Sequence, residues 1–439
     1  MLSKRISDTS ESLQGLHAEH ANATQAMTCD RPESTALPEP SFLRERADAY
    51  YARIAPWNGN HILKGRVPDA NALILSSNDY LALANHPAIV QAQVDALQTI
   101  GRGGLRSDVF RTDGDTLRRF ELELADLLGA EDVVTCQSGW NANVGLIQSI
   151  AGPGTPVYVD MFAHTSLWEG VTSAGAQPRP FKHNDPESLD RLVARHGPGV
   201  VAVDAVYSTS GSICPLEAIV AVAERHGCLL VVDESHSLGV FGEQGEGLTG
   251  ALGLSGRVHF RTSSLSKAFA ARGGIVAGSR RHIEYFRYES RPAIFSSGIT
   301  LPEAAAFHAT LEVVRADNWR RERVLAGADY LRSRLDDLGY NVDDSQCQII
   351  SLVSGPDEST IVLRDALESH GIFGAAFCAP ATARNRSLIR FSVTADFTWE
   401  HLDRVAGVCG HIRHEVGMAE WVSTKRKRGG QASLLERTA

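Results

Sequence analysis

Six short apolar runs between residues 133 and 278, each separated from the next by helical periodicity, constrain this chain more than any other feature. They are V-V-T-C near 133, P-V-Y-V-D near 156, G-V-V-A-V-D near 199, C-L-L-V-V-D near 228, V-H-F-R-T near 258 and G-I-V-A-G near 274. Strands with one wet face alternate apolar and polar residues, whereas nearly continuous β-branched runs belong to strands covered on both faces. Such runs alternating with helices predict a doubly wound α/β domain on a mainly parallel sheet. After about residue 300 the pattern changes to long amphipathic helices over 304–314 and 320–338, then to short alternating strands around I-I-S-L-V and S-L-I-R-F-S-V. A smaller α+β domain is expected there.

The 439 residues are 43% hydrophobic, enough to bury one large core and a smaller one. A formal net charge of −9 argues against nucleic acid as the main partner, because grip on a phosphate backbone depends on positive charge. The chain has no run of about 18 apolar residues and no basic-then-apolar N-terminal pattern, so neither a membrane span nor a signal peptide is expected, and the expected compartment is the cytoplasm. Cys29, Cys136, Cys214, Cys228, Cys347, Cys378 and Cys409 are scattered without a C-x-x-C pair, which predicts reduced thiols and no metal site. Residues 1–40 are polar, with almost no apolar face, and read as a mobile arm. Residues 416–439 include Lys425-Arg426-Lys427-Arg428 and read as a basic solvated tail. Between these ends the reading places an N-terminal segment over 41–100, a large domain over 101–300 and the small domain over 301–415.

Polar groups gather where the predicted strands end. C-Q-S-G-W-N-A-N follows a strand and opens a helix, with Ser138 and Gly139 at a helix N-terminus suited to an anion. His164 lies just past the next strand, Asp204 and Ser208 at the end of another, Asp233 and His236 in V-V-D-E-S-H-S-L-G, and Ser264 and Lys267 in T-S-S-L-S-K. In open α/β sheets, groups at strand carboxyl ends converge on one crevice. A carboxylate in an apolar strand can keep a heterocyclic nitrogen protonated, and a lysine fenced by small hydroxyl residues can form an imine. These are the two demands that pyridoxal phosphate makes of a protein.

With those residues in view, the chain resembles the fold-type-I pyridoxal-phosphate enzymes and, among them, the α-oxoamine synthases. The marks are S-S-N-D-Y-L, S-G-W-x-A-N, D-x-x-x-H-x-S, D-E-S-H-S-L-G and S-x-x-K, spread over about residues 70–412. Longer segments, N-D-Y-L-A-L-A-N-H-P, F-A-H-T-S-L-W-E-G, R-H-G-P-G-V-V and P-A-I-F-S-S, are similar to the quorum-sensing α-hydroxyketone autoinducer synthases of Vibrio and Legionella type. The resemblance implies a seven-stranded-type sheet and a homodimer with shared active sites. Lys267 would be the imine lysine, Asp233 the partner of the pyridine nitrogen, His236 the partner of the ring hydroxyl, and His164 a ring stacked on the cofactor. Ser138, Gly139, Trp140 and Ser264 would line its phosphate, with Ser297 reaching from the other subunit. Asn78 and Arg390 would hold the amino-acid carboxylate.

The implied reaction is decarboxylating condensation of a medium-chain acyl-CoA with 2-aminobutyrate or S-adenosylmethionine. Another α-oxoamine synthase activity, or aminotransfer or aldol cleavage on the same fold, remains open on these residues. Two departures from the wider family stand out: the segment G-R-G-G-L-R-S-D-V-F-R-T-D-G-D-T lacks a histidine often found before its helix, and Ala379 stands where relatives often carry arginine.

Overall fold

The computed structural model of the protein describes residues 37–57, 61, 63–103, 105–111, 114–379 and 381–421. The arm before residue 37, with Cys29, and the tail from residue 422, with Lys425 to Arg428, lie outside the described residues. The chain divides into two units, one ending at Lys64 and the other beginning at Gly65. Within the first, Ser41–Ile54 forms a helix that runs into a 3-10 turn over Ala55–Trp57.

In the second unit the strands are β1 (Leu73–Ile74), β2 (Asp132–Cys136), β3 (Pro156–Asp160), β4 (Gln177–Phe181), β5 (Val200–Asp204), β6 (Leu229–Asp233), β7 (Phe260–Ser264), β8 (Gly274–Gly278), β9 (Ile349–Gly355), β10 (Ile372–Phe373), β11 (Ala375–Phe377) and β12 (Ser387–Ser392). Seven of them form one sheet in the order β2-β8-β7-β6-β5-β3-β4. All neighbours are parallel except β8, which runs antiparallel to both β2 and β7. The six apolar runs are all strands of this sheet. The seventh, Q-P-R-P-F of β4, escapes the pattern because it pairs only with β3. A sheet edge tolerates the two prolines that a central position would exclude.

Successive residues of the central strands enter opposite cores. Val201 and Val203 of β5 and Leu230 and Val232 of β6 pack in one, Val200, Ala202 and Val231 in the other. Each such fully buried Val or Leu is worth about 1.5–3 kcal/mol relative to exposure, so covering both faces stabilises the sheet far more than covering one. From β3 the chain moves outward to β4, then returns to the opposite side of β3 as β5 and continues to β6. The reversal between β3 and β5 is a topological switch point, and it opens a crevice at the carboxyl ends of the strands.

A second sheet, β11-β12-β9, is antiparallel, and β1 pairs in parallel with β10. They share a core with the helices Asn318–Asp337, Asp357–Ser369 and Trp399–Ile412, through Leu75, Leu331, Ile350, Leu363, Ile389, Phe391 and Leu402. This core meets the large sheet at the loop after β5. Ser345 Oγ donates to the Ser210 carbonyl at 2.8 Å, the Gln346 N–H donates to the Gly211 carbonyl at 2.9 Å, and Ser351 Oγ donates to the Thr209 carbonyl. Gly211 has φ +71° and packs so tightly on the Ile349 carbonyl that a Cβ has no room. From the large-sheet side, His183 holds the same loop by bridging Asp160 and Ser212, at 2.9 Å to each.

Candidate active site

β2 leads directly into the helix Gly139–Ile150, capped by Ser138, whose Oγ accepts from the Asn141 N–H at 3.1 Å. The first amides of that helix have no intrahelical partner and suit an anion. A Cβ on Gly139 would stand 2.7 Å from Ser264 Cβ and 2.9 Å from Ser264 Cα. Glycine is therefore what allows the helix N-terminus to lie against the end of β7. There the Ser264 and Ser266 hydroxyls pair at 2.8 Å, and the Ser264 N–H donates to Ser235 Oγ at 2.8 Å. Trp140 lies on the outer side, edge-on to His164 with ring centroids 6.2 Å apart.

Asp233, buried at the end of β6, accepts from Asn143 Nδ2 at 2.6 Å and from the Ser235 N–H at 2.8 Å. Asn143 is oriented in turn, donating to Ser166 Oγ at 2.8 Å and accepting from Thr262 Oγ1 at 2.6 Å. These donors are neutral, so they fix the carboxylate without cancelling its charge. His164 caps the helix Thr165–Ala174. Its main-chain N–H donates to both Asp204 oxygens at 3.2 and 3.1 Å, and its Nδ1 lies 2.7 Å from Ser166 Oγ. Burial lowers its proton affinity, opposed by Asp233 and reinforced by Lys267.

Lys267 follows β7. Burial lowers its pKa; Asp233 and Asp204 oppose that shift, and Arg390 reinforces it. His236 is buried, with its Nδ1 2.6 Å from the Tyr80 hydroxyl and its carbonyl accepting from Gln348 Nε2 at 2.8 Å.

The third cluster centres on Arg390 of β12, which is 5% exposed. Nη1 donates to the Ser208 carbonyl and Nη2 to Asn78 Oδ1, each at 2.9 Å, and the guanidinium sits 4.8 Å from the Phe377 ring centroid. Its Nε is buried without a hydrogen-bond partner among the described residues, leaving a donor for an incoming anion. The Ser297 carbonyl accepts from Gln137 Nε2 of the same chain at 3.0 Å. A cavity of about 710 Å³ opens beside His164 and Ser208, walled by Phe162, Trp168, Val353, Phe377 and Leu388.

Sequence reading left Asn143, Tyr80, Ser166, Thr262 and Gln348 without roles. For Asn143 a signal exists: it lies one helical turn beyond Gly139, on the face turned toward the strand ends. For Gln348 we find none.

Pyridoxal phosphate fits this arrangement. The helix N-terminus and serines suit its phosphate, Asp233 lacks an ion-pair partner among the described residues and can face a cationic ring nitrogen, and Lys267 is an amine held in a partly buried pocket.

Comparison with known proteins agrees. The family model for aminotransferase class I and II matches residues 70–408. CAI-1 autoinducer synthase of Vibrio campbellii is 42% identical over 382 residues, covering 87% of this chain and 96% of that protein. An 8-amino-7-oxononanoate synthase of Symbiobacterium thermophilum is 33% identical over 371 residues, 83% of this chain and 93% of that one. A solved serine palmitoyltransferase from S. paucimobilis, with PLP and myriocin bound, superposes with a TM-score of 0.80 at 25% identity, over 87% of this chain and all of that one. The chain belongs to the aminotransferase class I and II family. Within that family it is an α-oxoamine synthase, a pyridoxal-phosphate-dependent acyl-transferring enzyme of fold type I.

Proposed function

We propose that this enzyme joins a medium-chain acyl-CoA to 2-aminobutyrate or S-adenosylmethionine, releasing coenzyme A and carbon dioxide. The product is an α-aminoketone or enaminone, the precursor of an α-hydroxyketone quorum-sensing autoinducer. The observation that carries this reading is the 42% identity to CAI-1 autoinducer synthase across 96% of that protein, against 33% for the 8-amino-7-oxononanoate synthase.

Pyridoxal phosphate, when bound, supplies an imine carbon and a ring that accepts electrons. Asp233, oriented by Asn143 and Ser235, presents its charge to the ring nitrogen. Arg390 and Asn78 grip the amino-acid carboxylate, with Arg390 Nε as the spare donor. Lys267, whose charge burial discourages, takes the α-proton as a free amine. Ser166 engages Nδ1 of His164, which leaves Nε2 to polarise the thioester oxygen. The apolar walls of the cavity beside His164 suit the acyl chain. The enzyme acts as a homodimer in which Ser297 serves the partner's phosphate site; Phe295, 82% exposed two residues earlier, is apolar surface for a second copy to cover.

The test is thiol release by cofactor-loaded protein given octanoyl- or decanoyl-CoA with glycine, alanine, serine, 2-aminobutyrate or S-adenosylmethionine. Release with the last two supports the proposal. Release with only the first three reassigns the enzyme to another α-oxoamine synthase activity, and silence throughout sinks the condensation.

A further inference from the structure

Tyr80 is fully buried and has one proton to give. Its hydroxyl lies 2.6 Å from His236 Nδ1 and 3.3 Å from Asn78 Oδ1. The amide oxygen already accepts from Arg390 Nη2 at 2.9 Å. The contact to Nδ1 is the shorter of the two, and a proton placed there makes Nδ1 of His236 an acceptor. Around the ring, burial discourages positive charge, and the neighbouring Lys267, Arg390 and His164 reinforce that effect. A neutral imidazole whose Nδ1 accepts carries its own proton on Nε2. Gln348 clamps the His236 carbonyl at 2.8 Å, and the Tyr80 carbonyl accepts from the Ala395 N–H at 2.8 Å. Both partners of the contact are thus anchored by their main chains.

We infer that Tyr80 is a positioning residue that fixes the tautomer of His236, making Nε2 a permanent donor to the ring oxygen of the bound cofactor. The inference rests on the reading that this ring oxygen faces His236. The polarity on either side of the Tyr80–Asn78 contact is then set: Arg390 donates to Asn78, and Tyr80 donates to His236. Loss of the tyrosine hydroxyl frees the imidazole to exchange tautomers, and the cofactor oxygen loses its donor for part of the time. The carboxylate grip of Asn78 and Arg390 is left in place.

The experiment is a pH titration of imine absorbance in wild-type, Tyr80→Phe and His236→Asn holoenzymes. Both variants are expected to move the imine titration upward by about one pH unit, the equivalent of one hydrogen bond. Tyr80→Phe is expected to lower kcat about tenfold while the amino-acid KM stays within about twofold. A shift in His236→Asn without one in Tyr80→Phe overturns the inference alone. No shift in either overturns the ring-oxygen reading beneath it. Should Tyr80→Phe fail to fold, nitrogen NMR of histidine-labelled wild-type holoenzyme decides, with His236 identified by its loss in His236→Asn. A protonated Nε2 with a bare Nδ1 is expected, and the reverse pattern refutes the assignment.

Discussion

Asp204 and Asp233 stand in register at the ends of the neighbouring parallel strands β5 and β6, both buried. Two carboxyls so placed resist carrying charge together. Their donors separate them. Asp233 receives the Asn143 amide and the Ser235 N–H, whereas burial and then the charge of Asp233 push the Asp204 pKa well above the usual carboxylate range, against the His164 N–H.

That division predicts unequal consequences of the same substitution. Asp204→Asn keeps an oxygen for the His164 N–H and should retain kcat within about tenfold. Asp233→Asn removes the charge proposed to face the ring nitrogen and should cost about tenfold to hundredfold in cofactor affinity, the worth of a charged hydrogen bond. Absorbance titration with pyridoxal phosphate, alongside turnover, compares the two.

Gly139→Ala drives a methyl group into Ser264, including its backbone. Overpacking of this kind costs about 1–3 kcal/mol. The strain falls on the proposed phosphate end, so cofactor should bind roughly tenfold or more weakly while the secondary structure seen by circular dichroism is unchanged.

Arg390→Lys retains a positive charge but loses the planar fork that reaches Ser208 and Asn78 together. The amino-acid KM should rise about tenfold or more, with a smaller change in acyl-CoA KM. Steady-state kinetics with each substrate varied in turn checks the asymmetry.

Asp108 offers a test of stability. Burial raises its carboxyl from 3.8 to about 6, opposed by Arg111 and Arg287 and reinforced by Glu121. The folded protein thus holds this proton more tightly than the unfolded chain. The group's contribution is fully present below about pH 4 and is lost as pH rises toward 6. Asp108→Asn should accordingly stabilise the protein above pH 6 by about 1–3 kcal/mol and leave it unchanged below pH 4. Urea midpoints at the two pH values decide; equal shifts at both would refute the account.

The sheet was legible because β-branched runs carry their own signal, and Val200 to Val203 announce a buried strand without help from the rest of the chain. β4 was not legible: Pro178 and Pro180 are acceptable only because no strand lies beyond them. In the site, Ser138, His164, Asp233, His236 and Lys267 stood out by their position after strands. Asn78 and Arg390 entered through family likeness, since no local pattern links residues 312 positions apart. The contacts of Tyr80 with His236 and of Asn143 with Asp233 were invisible for the same reason: periodicity reports which face a residue occupies, while topology decides what that face meets.

The pairing of β1 with β10 sets the order in which this enzyme can come into being. Leu73 and Ile74 are synthesised long before Ile372 and Phe373, the strand on which they lie. Asn78 and Tyr80, just beyond β1, have no Arg390 to meet until the chain has grown 312 positions past Asn78. The large sheet can mature during translation, but until then the nascent chain lacks the pair proposed to grip the carboxylate. Premature termination between Lys267 and β12 therefore yields a polypeptide that carries the lysine proposed to form the imine yet lacks the arginine proposed to hold the amino-acid carboxylate.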